Sequence, residues 1–171
     1  EDAIASLCAD ASAPGEPCEI ANDNGGGQIV VSGAAAAVAR AVELAPGRGA
    51  KRAIPLQVSA PFHCSLMQPA ADRMREALAA ADLKTPAVPL VANVLASAIS
   101  DPGEIRRRLV EQVTGQVRWR ESVSFMAANG VGRMLEVGSG KVLAGLSKRI
   151  DKALTVVSVG APEDVEAALG G

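Results

Sequence analysis

The sequence predicts an α/β fold, and three observations carry that prediction. Short β-branched runs alternate with longer stretches whose apolar residues recur every three or four positions, the pattern of strands alternating with amphipathic helices. Turn-forming residues fall between these runs, at Pro14-Gly15, residues 22–27, Pro46-Gly47, Gly130 and residues 138–140. Finally, 171 residues with 49% apolar content are enough for one ordinary domain, or two small ones, with a buried core. Much of that content is Ala, so the helices are expected to pack closely on small side chains.

Residues 1–12 open the chain as a predicted helix, with Ile4, Leu7 and Cys8 on one face, and the chain starts as if inside a longer unit. A strand over 17–22, the turn Asn22-Asp23-Asn24-Gly25-Gly26-Gly27 and a strand over 28–32 follow. Asn and Gly tolerate the positive φ that such a hairpin turn requires. An Ala-rich helix over 34–44 stops at Pro46-Gly47, and the apolar, β-branched run at 54–58 is predicted to be a buried strand. The order α-β-β-α-β lacks only a leading strand to make the βαββαβ unit. Residues 1–60 are therefore expected to form an incomplete ferredoxin-like small subdomain with an open slot in its sheet.

Ser65 and Gln68 form a capping-box pattern at the start of a predicted helix over 65–81, with Pro69 in its first turn. Met67, Ala71, Met74, Leu78 and Ala81 share one face of that helix, with Met more suited to core filling than to ligation. A short strand is predicted over 89–93. Asp101-Pro102-Gly103-Glu104 then opens a helix with Ile105, Leu109 and either Gln112 or Val113 on its face. A helix over 120–129, a strand over 133–137, a helix up to 150, a strand over 154–159 and a helix from Pro162 complete the alternation, which predicts a largely parallel sheet. Gly138-Ser139-Gly140-Lys141 lacks a P-loop's other positions, because Leu135 and Val142 stand where Gly and Ser or Thr belong. A tight strand-to-helix turn is the simpler expectation.

Composition excludes several classes. One Trp, two Phe, no Tyr and a net charge of −2 leave neither stacking faces nor a general basic surface for nucleic acid. Cys8, Cys18 and Cys64 with a single histidine suit neither a zinc site nor a disulfide framework, so no metal is expected and a cytoplasmic, reducing location is. No apolar run reaches the ~20 residues of a membrane span. That single histidine, His63, lies on a loop between the predicted strand at 54–58 and the helix after it, where loops tend to carry function. By composition alone, a packed or surface role is the default for such a residue.

Four blocks change that expectation. Val58-Ser59-Ala60-Pro61-Phe62-His63-Cys64-Ser65-Leu66-Met67 is one, and Ala21-Asn22-Asp23-Asn24 running on to Gly27-Gln28-Ile29-Val30-Val31-Ser32-Gly33 is the second. The others are Gln112-Val113-Thr114-Gly115-Gln116-Val117-Arg118-Trp119 and Leu135-Glu136-Val137-Gly138-Ser139-Gly140-Lys141-Val142-Leu143. In this order and spacing they resemble the malonyl-CoA:acyl-carrier-protein transacylases of fatty acid synthesis, and the chain looks like the C-terminal half of such an enzyme. The resemblance implies that residues 61–171 are the C-terminal part of a large α/β-hydrolase-like acyltransferase subdomain. The family's GHSxGE serine, the arginine that clamps the malonyl carboxylate and an N-terminal glutamine motif have no match here.

The resemblance implies transfer of malonyl from coenzyme A to the phosphopantetheine thiol of acyl carrier protein through an acyl-serine, without a cofactor. His63 is the implied base and acid, and Gln112 the residue whose main-chain carbonyl orients it in place of a triad carboxylate. Asn22 and Asn24 match polar positions at the substrate cleft, besides their turn-forming role. Malonyl-CoA, acyl carrier protein and the missing N-terminal half are the implied partners, and this chain alone is expected to be inactive. Phe62 fits a malonyl preference, Trp119 a core anchor and Asn93 a structural turn. Arg106, Arg107, Arg108, Arg118 and Arg120 fit either an acidic carrier protein or a solvated helix face. A non-catalytic carrier-protein binding module, or a piece of a polyketide-type acyltransferase using another acyl-CoA, are the alternatives. The geometry expected of the base is Nδ1 of His63 within hydrogen-bond reach of the Gln112 carbonyl, with Nε2 facing an open cleft.

Overall fold

The computed structural model describes residues 2–169. Helix α1, Asp2–Ala11, buries Leu7, Cys8 and Ala11. Strands β1, Cys18–Asp23, and β2, Ile29–Gly33, form the expected antiparallel hairpin, with Cys18 opposite Gly33 and Asp23 opposite Ile29. Its turn depends on Gly25, Gly26 and Gly27, whose φ angles are 76°, 61° and 79°. The register shifts between Ile20 and Asn22, leaving Ala21 as a bulge whose carbonyl is free to leave the hairpin ladder. Helix α2, Ala35–Leu44, buries Ala37 and Ala41, and these small residues pack with Cys8, Ala11 and Cys18 in one core cluster. At Gly33 a Cβ would lie 2.0 Å from the Pro17 carbonyl oxygen, so only glycine lets the two strands start this close.

The buried strand predicted at residues 54–58 does not form. This segment has no regular structure, and Ile54, Leu56 and Val58 are 58%, 58% and 63% exposed. The alternation that favours a strand is present, but a strand also needs a neighbour to take up its N–H and C=O groups. Among the described strands β1 and β2 pair only with each other, and the one bridge β1 makes beyond the hairpin goes to Val117.

The capping box predicted at Ser65 is also absent. Residues Ser65–Met67 form a 3-10 turn, and helix α3, Gln68–Ala80, starts after it without a side-chain cap. The Ser65 hydroxyl donates instead to the Glu19 carboxylate at 2.5 Å, a charge-assisted bond stronger than the neutral one a cap accepts from a backbone N–H. Ala71 is buried on the predicted face of α3, whereas Met74 is exposed.

Strand β3, Leu90–Ala92, pairs antiparallel with β4, Ser97–Ile99, a strand the sequence pattern did not reveal because Ser97 and Ala98 carry no β-branched bulk. Helix α4, Pro102–Glu111, is capped by Asp101, whose carboxylate accepts the Glu104 amide at 2.7 Å. Arg106 of α4 donates to the Leu78 and Ala81 carbonyls at the end of α3, 2.8 Å each, which joins the two helices.

Helix α5, Trp119–Ala128, leads to β5, Arg133–Val137, then α6, Val142–Ile150, β6, Thr155–Val159, and α7, Pro162–Leu169. Strands β5 and β6 are parallel and in register from Arg133–Thr155 to Val137–Val159, over a second core of Val123, Ala144, Leu154 and Val156. The expectation of a largely parallel sheet is corrected: the described strands make three two-stranded sheets, and only β5–β6 is parallel. Each described strand pairs with one other described strand, so no wide sheet assembles among them. No helix among the described residues is long and apolar enough to cross a membrane.

One set of bonds ties the hairpin to the later elements. Val117 pairs with β1 in both directions: its N–H donates to the Ala21 carbonyl at 2.8 Å and its carbonyl accepts from Asp23 at 3.0 Å. Buried Asp23 also accepts from Arg120 Nε at 2.7 Å and from the Gly25 amide at 3.1 Å.

Candidate active site around His63

Backbone position comes first at His63. Its φ of 59° lies in the left-handed region, shared among the described non-glycine residues only by Ala96 at 53°. Such a conformation persists where the surroundings over-determine it. Behind His63, Cys64 is fully buried and its thiol donates to the Pro61 carbonyl at 3.1 Å, closing the loop on itself. Ahead of it, the Ser65 amide donates to Glu19 at 3.0 Å.

The acceptor side is built by the end of α4. A helix leaves its last carbonyls without intrahelical partners. Gln112 caps α4, and the chain turns tightly enough for the Gly115 amide to reach the Glu111 carbonyl at 2.9 Å. A Cβ at Gly115 would come within 3.0 Å of that same carbonyl and 2.9 Å of Val94, so the turn needs glycine.

His63 Nδ1 lies 2.8 Å from the Gln112 carbonyl oxygen and 3.1 Å from that of Gly115. Two carbonyls can only accept, so Nδ1 carries the proton and donates to both. The neutral ring then keeps its lone pair on Nε2, which forms no hydrogen bond with any described residue. An imidazole so held can take a proton at Nε2 and return it. The imidazolium would be stabilised by carbonyl dipoles rather than by a carboxylate.

The Gln112 side chain bonds elsewhere. Its Oε1 accepts from Asn93 Nδ2 at 2.9 Å, while the Asn93 carbonyl accepts from the Arg118 amide at 3.1 Å. Asn93 thus fixes the turn that presents the acceptor carbonyls. A lone Asn between two strands gave no sequence signal for that contact.

Of the four candidate site residues, His63 and Gln112 meet directly. Asn22 is half-buried on β1, bridged to Val117 of the acceptor turn, and Asn24 is half-buried in the hairpin turn, its amide donating to the Gln28 carbonyl at 3.0 Å. No hydrogen bond joins either to His63. Phe62 is 47% exposed beside the histidine, and Trp119 packs against the second core.

The basic residues are engaged within the chain. Arg106 holds α3, Arg107 and Arg108 pair with Glu104, Arg118 pairs with Glu121, and Arg120 pairs with Asp23. The turn at residues 138–140 is likewise filled: the Glu136 carboxylate accepts the Leu143 and Ala144 amides at the start of α6, 2.9 Å each. These bonds, that from Ala144 foremost, hold the Glu136 carboxyl below its ordinary range. An anion of the chain itself thus occupies the helix end a phosphate would use. Among the described residues no cluster of three His, Cys, Asp or Glu is placed to hold a metal ion. Cys8, Cys18 and Cys64 are free and buried, and burial pushes the Cys8 thiol up to about 12.

Known proteins resemble this arrangement closely. No family model matches the chain. The malonyl CoA-acyl carrier protein transacylase of Bacillus subtilis is 45% identical over 155 residues, which is 91% of this chain and 49% of that protein. The crystal structure of acyl-carrier-protein-S-malonyltransferase from Bartonella henselae superposes with a TM-score of 0.92 at 53% identity, over 99% of this chain and 54% of that one. A malonyl-transacylase solved in complex with its type II PKS acyl-carrier protein gives a TM-score of 0.92 at 39% identity, covering 99% and 55%. The fold is thus that found in acyl-carrier-protein malonyltransferases. The chain is similar to malonyl CoA-acyl carrier protein transacylases along nearly its whole length, and it spans about half the length of the relatives it matches.

Proposed function

We propose that this chain is the C-terminal half of an enzyme that moves a malonyl group from coenzyme A to the phosphopantetheine thiol of acyl carrier protein in fatty acid synthesis. One observation carries the reading: Nδ1 of His63 is held by the Gln112 and Gly115 carbonyls while Nε2 has no partner among the described residues. In this mechanism Nε2 takes the proton of a serine supplied by the N-terminal half as that serine attacks the malonyl thioester. The proton then goes to the departing coenzyme A thiolate. In the second half-reaction the carrier-protein thiol loses its proton to Nε2 as it attacks the acyl-serine, and the serine oxygen recovers it. Gln112 acts through its carbonyl as the orienting residue. Asn22, bridged to the acceptor turn, and Asn24 line the substrate side.

The same reading divides the chain near residue 60. Residues 1–60 are an incomplete ferredoxin-like subdomain, whose absent first strand accounts for the unpaired segment at 54–58. Residues 61–171 are the C-terminal part of a larger α/β-hydrolase-like subdomain. Cys8 and Cys18, free thiols in one core cluster, suit a reducing, cytoplasmic setting.

The test is a chimera in which this chain follows the first half of the Bacillus subtilis relative. Malonyl transfer from coenzyme A to carrier protein, followed by mass spectrometry, is expected of the chimera and not of the 171-residue chain alone. A folded but inert chimera, or transfer by the chain alone, would overturn the proposal.

A further inference from the structure

Strand β1 reaches both sides of the His63 contact. On the acceptor side, Ala21 and Asp23 hold Val117, two residues beyond Gly115. On the donor side, Glu19 holds Ser65, two residues beyond His63, through both carboxylate oxygens: Oε2 accepts the Ser65 amide at 3.0 Å and Oε1 its hydroxyl at 2.5 Å. Forty-six residues separate Glu19 from Ser65. The contact therefore fixes the histidine loop against the sheet rather than within itself.

The geometry points to Glu19 as a positioning residue for His63, one that selects the Nδ1–H tautomer by keeping the loop on the acceptor carbonyls. Three features suit the contact to that role. His63 is in the left-handed region with φ 59°, a conformation that relaxes to negative φ unless both flanks are held. Among the described residues its N-terminal flank is held only by bonds inside the loop, from Cys64 to Pro61 and from Phe62 to Ala60. The segment before that, residues 51–59, is exposed throughout and gives no support. Glu19 is thus the described side chain that fastens the loop's C-terminal flank to the strand that also holds the acceptor turn, and a two-point charged acceptor sets direction as well as distance.

Without it, the loop turns away and Nδ1 loses two carbonyl partners. A free imidazole then protonates mainly at Nε2, the nitrogen that must stay bare to act as base. This inference rests on the proposed role of His63 but is testable without turnover.

His63 is the chain's only histidine, so its two ring nitrogens give unambiguous signals in a long-range proton–nitrogen NMR spectrum of the full chain. Above the imidazole's titration range the wild type is expected to be Nδ1–H. Glu19→Ala is expected to lower the Nδ1–H to Nε2–H ratio about tenfold, the factor equivalent to one hydrogen bond of ordinary net strength. Glu19→Gln, which keeps one acceptor, is expected to fall between the two, and Ser65→Ala, which removes the hydroxyl arm alone, likewise. Glu16→Ala, which breaks only the ion pair with Arg40, serves as the control and is expected to leave the ratio unchanged. If Glu19→Ala does not fold by circular dichroism, Ser65→Ala decides the question. A folded Glu19→Ala, or in that case Ser65→Ala, with the wild-type ratio overturns the inference and leaves the role of His63 standing. A wild type without the Nδ1–H preference overturns both.

Discussion

The segments at residues 51–59 and 60–67 adjoin, and each has an apolar, strongly patterned sequence. The first exposes Ile54, Leu56 and Val58 and makes no ladder, whereas the second buries Cys64 completely and holds His63 in a rare conformation. The difference lies in where their partners are. The His63 loop is held by Glu19, Gln112 and Gly115, all in this chain, through polar bonds of fixed length and direction. The 51–59 segment has alternation but no strand beside it, and an unpaired strand gains too little to offset its ordering entropy. Hydrophobic pattern states what a segment can do, and a neighbour decides whether it does so.

The largest break in that comparison comes at the imidazole. In the chimera with the first half of the relative, His63→Ala is expected to cut turnover by ~10²–10⁴-fold with little change in melting temperature. Gln112→Ala is expected to be much milder, because alanine retains the carbonyl and only the Asn93 bond is lost. Steady-state transfer kinetics with a thermal melt on each variant separates the two. Equal losses for both would refute the main-chain assignment.

Next in size is Gly115→Val. The first added carbon meets the Glu111 carbonyl at 3.0 Å and Val94 at 2.9 Å, so the turn must open. Overpacking of this kind costs about 1–3 kcal/mol, read as a lower denaturation midpoint. The His63 tautomer signal is expected to be lost along with it. The equivalent change at Gly132, where a Cβ meets nothing, is expected to be nearly neutral and provides the contrast.

A smaller effect is expected at Glu136, and it depends on pH. Hydrogen bonds from Ala144 and Leu143 depress its carboxyl, so its folded-state value lies below the unfolded one. Its stabilisation is therefore present above the ordinary glutamate range and is lost as pH falls through the folded value. Glu136→Gln should be less stable than wild type at neutral pH, with the gap closing under acid. A gap that widens on acidification would contradict the assignment. Denaturation midpoints across the acid range provide the check.

The smallest effect tests the exposed segment itself. Replacing Ile54, Leu56 and Val58 by Ser in the isolated chain should shift stability by no more than ~0.5 kcal/mol per site, the range of surface changes. Solubility should rise as an apolar strand without a partner is removed. In the chimera the same replacements should cost far more if that segment gains a neighbour there, which sharpens the contrast with the His63 loop.

The Asn22–Gly27 turn, the helix opening at Asp101 and the limits of β5 were legible in the sequence because each depends on local rules: positive φ at glycine, a carboxylate capping its own helix, a short run carrying Met134, Leu135 and Val137 between Gly132 and Gly138. The pairing of His63 with Gln112 was legible only through the family resemblance, since nothing local links residues 49 apart in sequence. Three features required the tertiary structure. Ser65 turned from the helix cap its pattern favours to Glu19, because a charge-assisted bond to a carboxylate on β1 is stronger than the neutral bond a local N–H would give. Gly115 joined Gln112 as a second acceptor, because the turn after α4 is tight enough to align two carbonyls on one N–H. Residues 54–58 stayed out of any sheet, because pairing is decided by the neighbours a strand meets and not by the residues it contains.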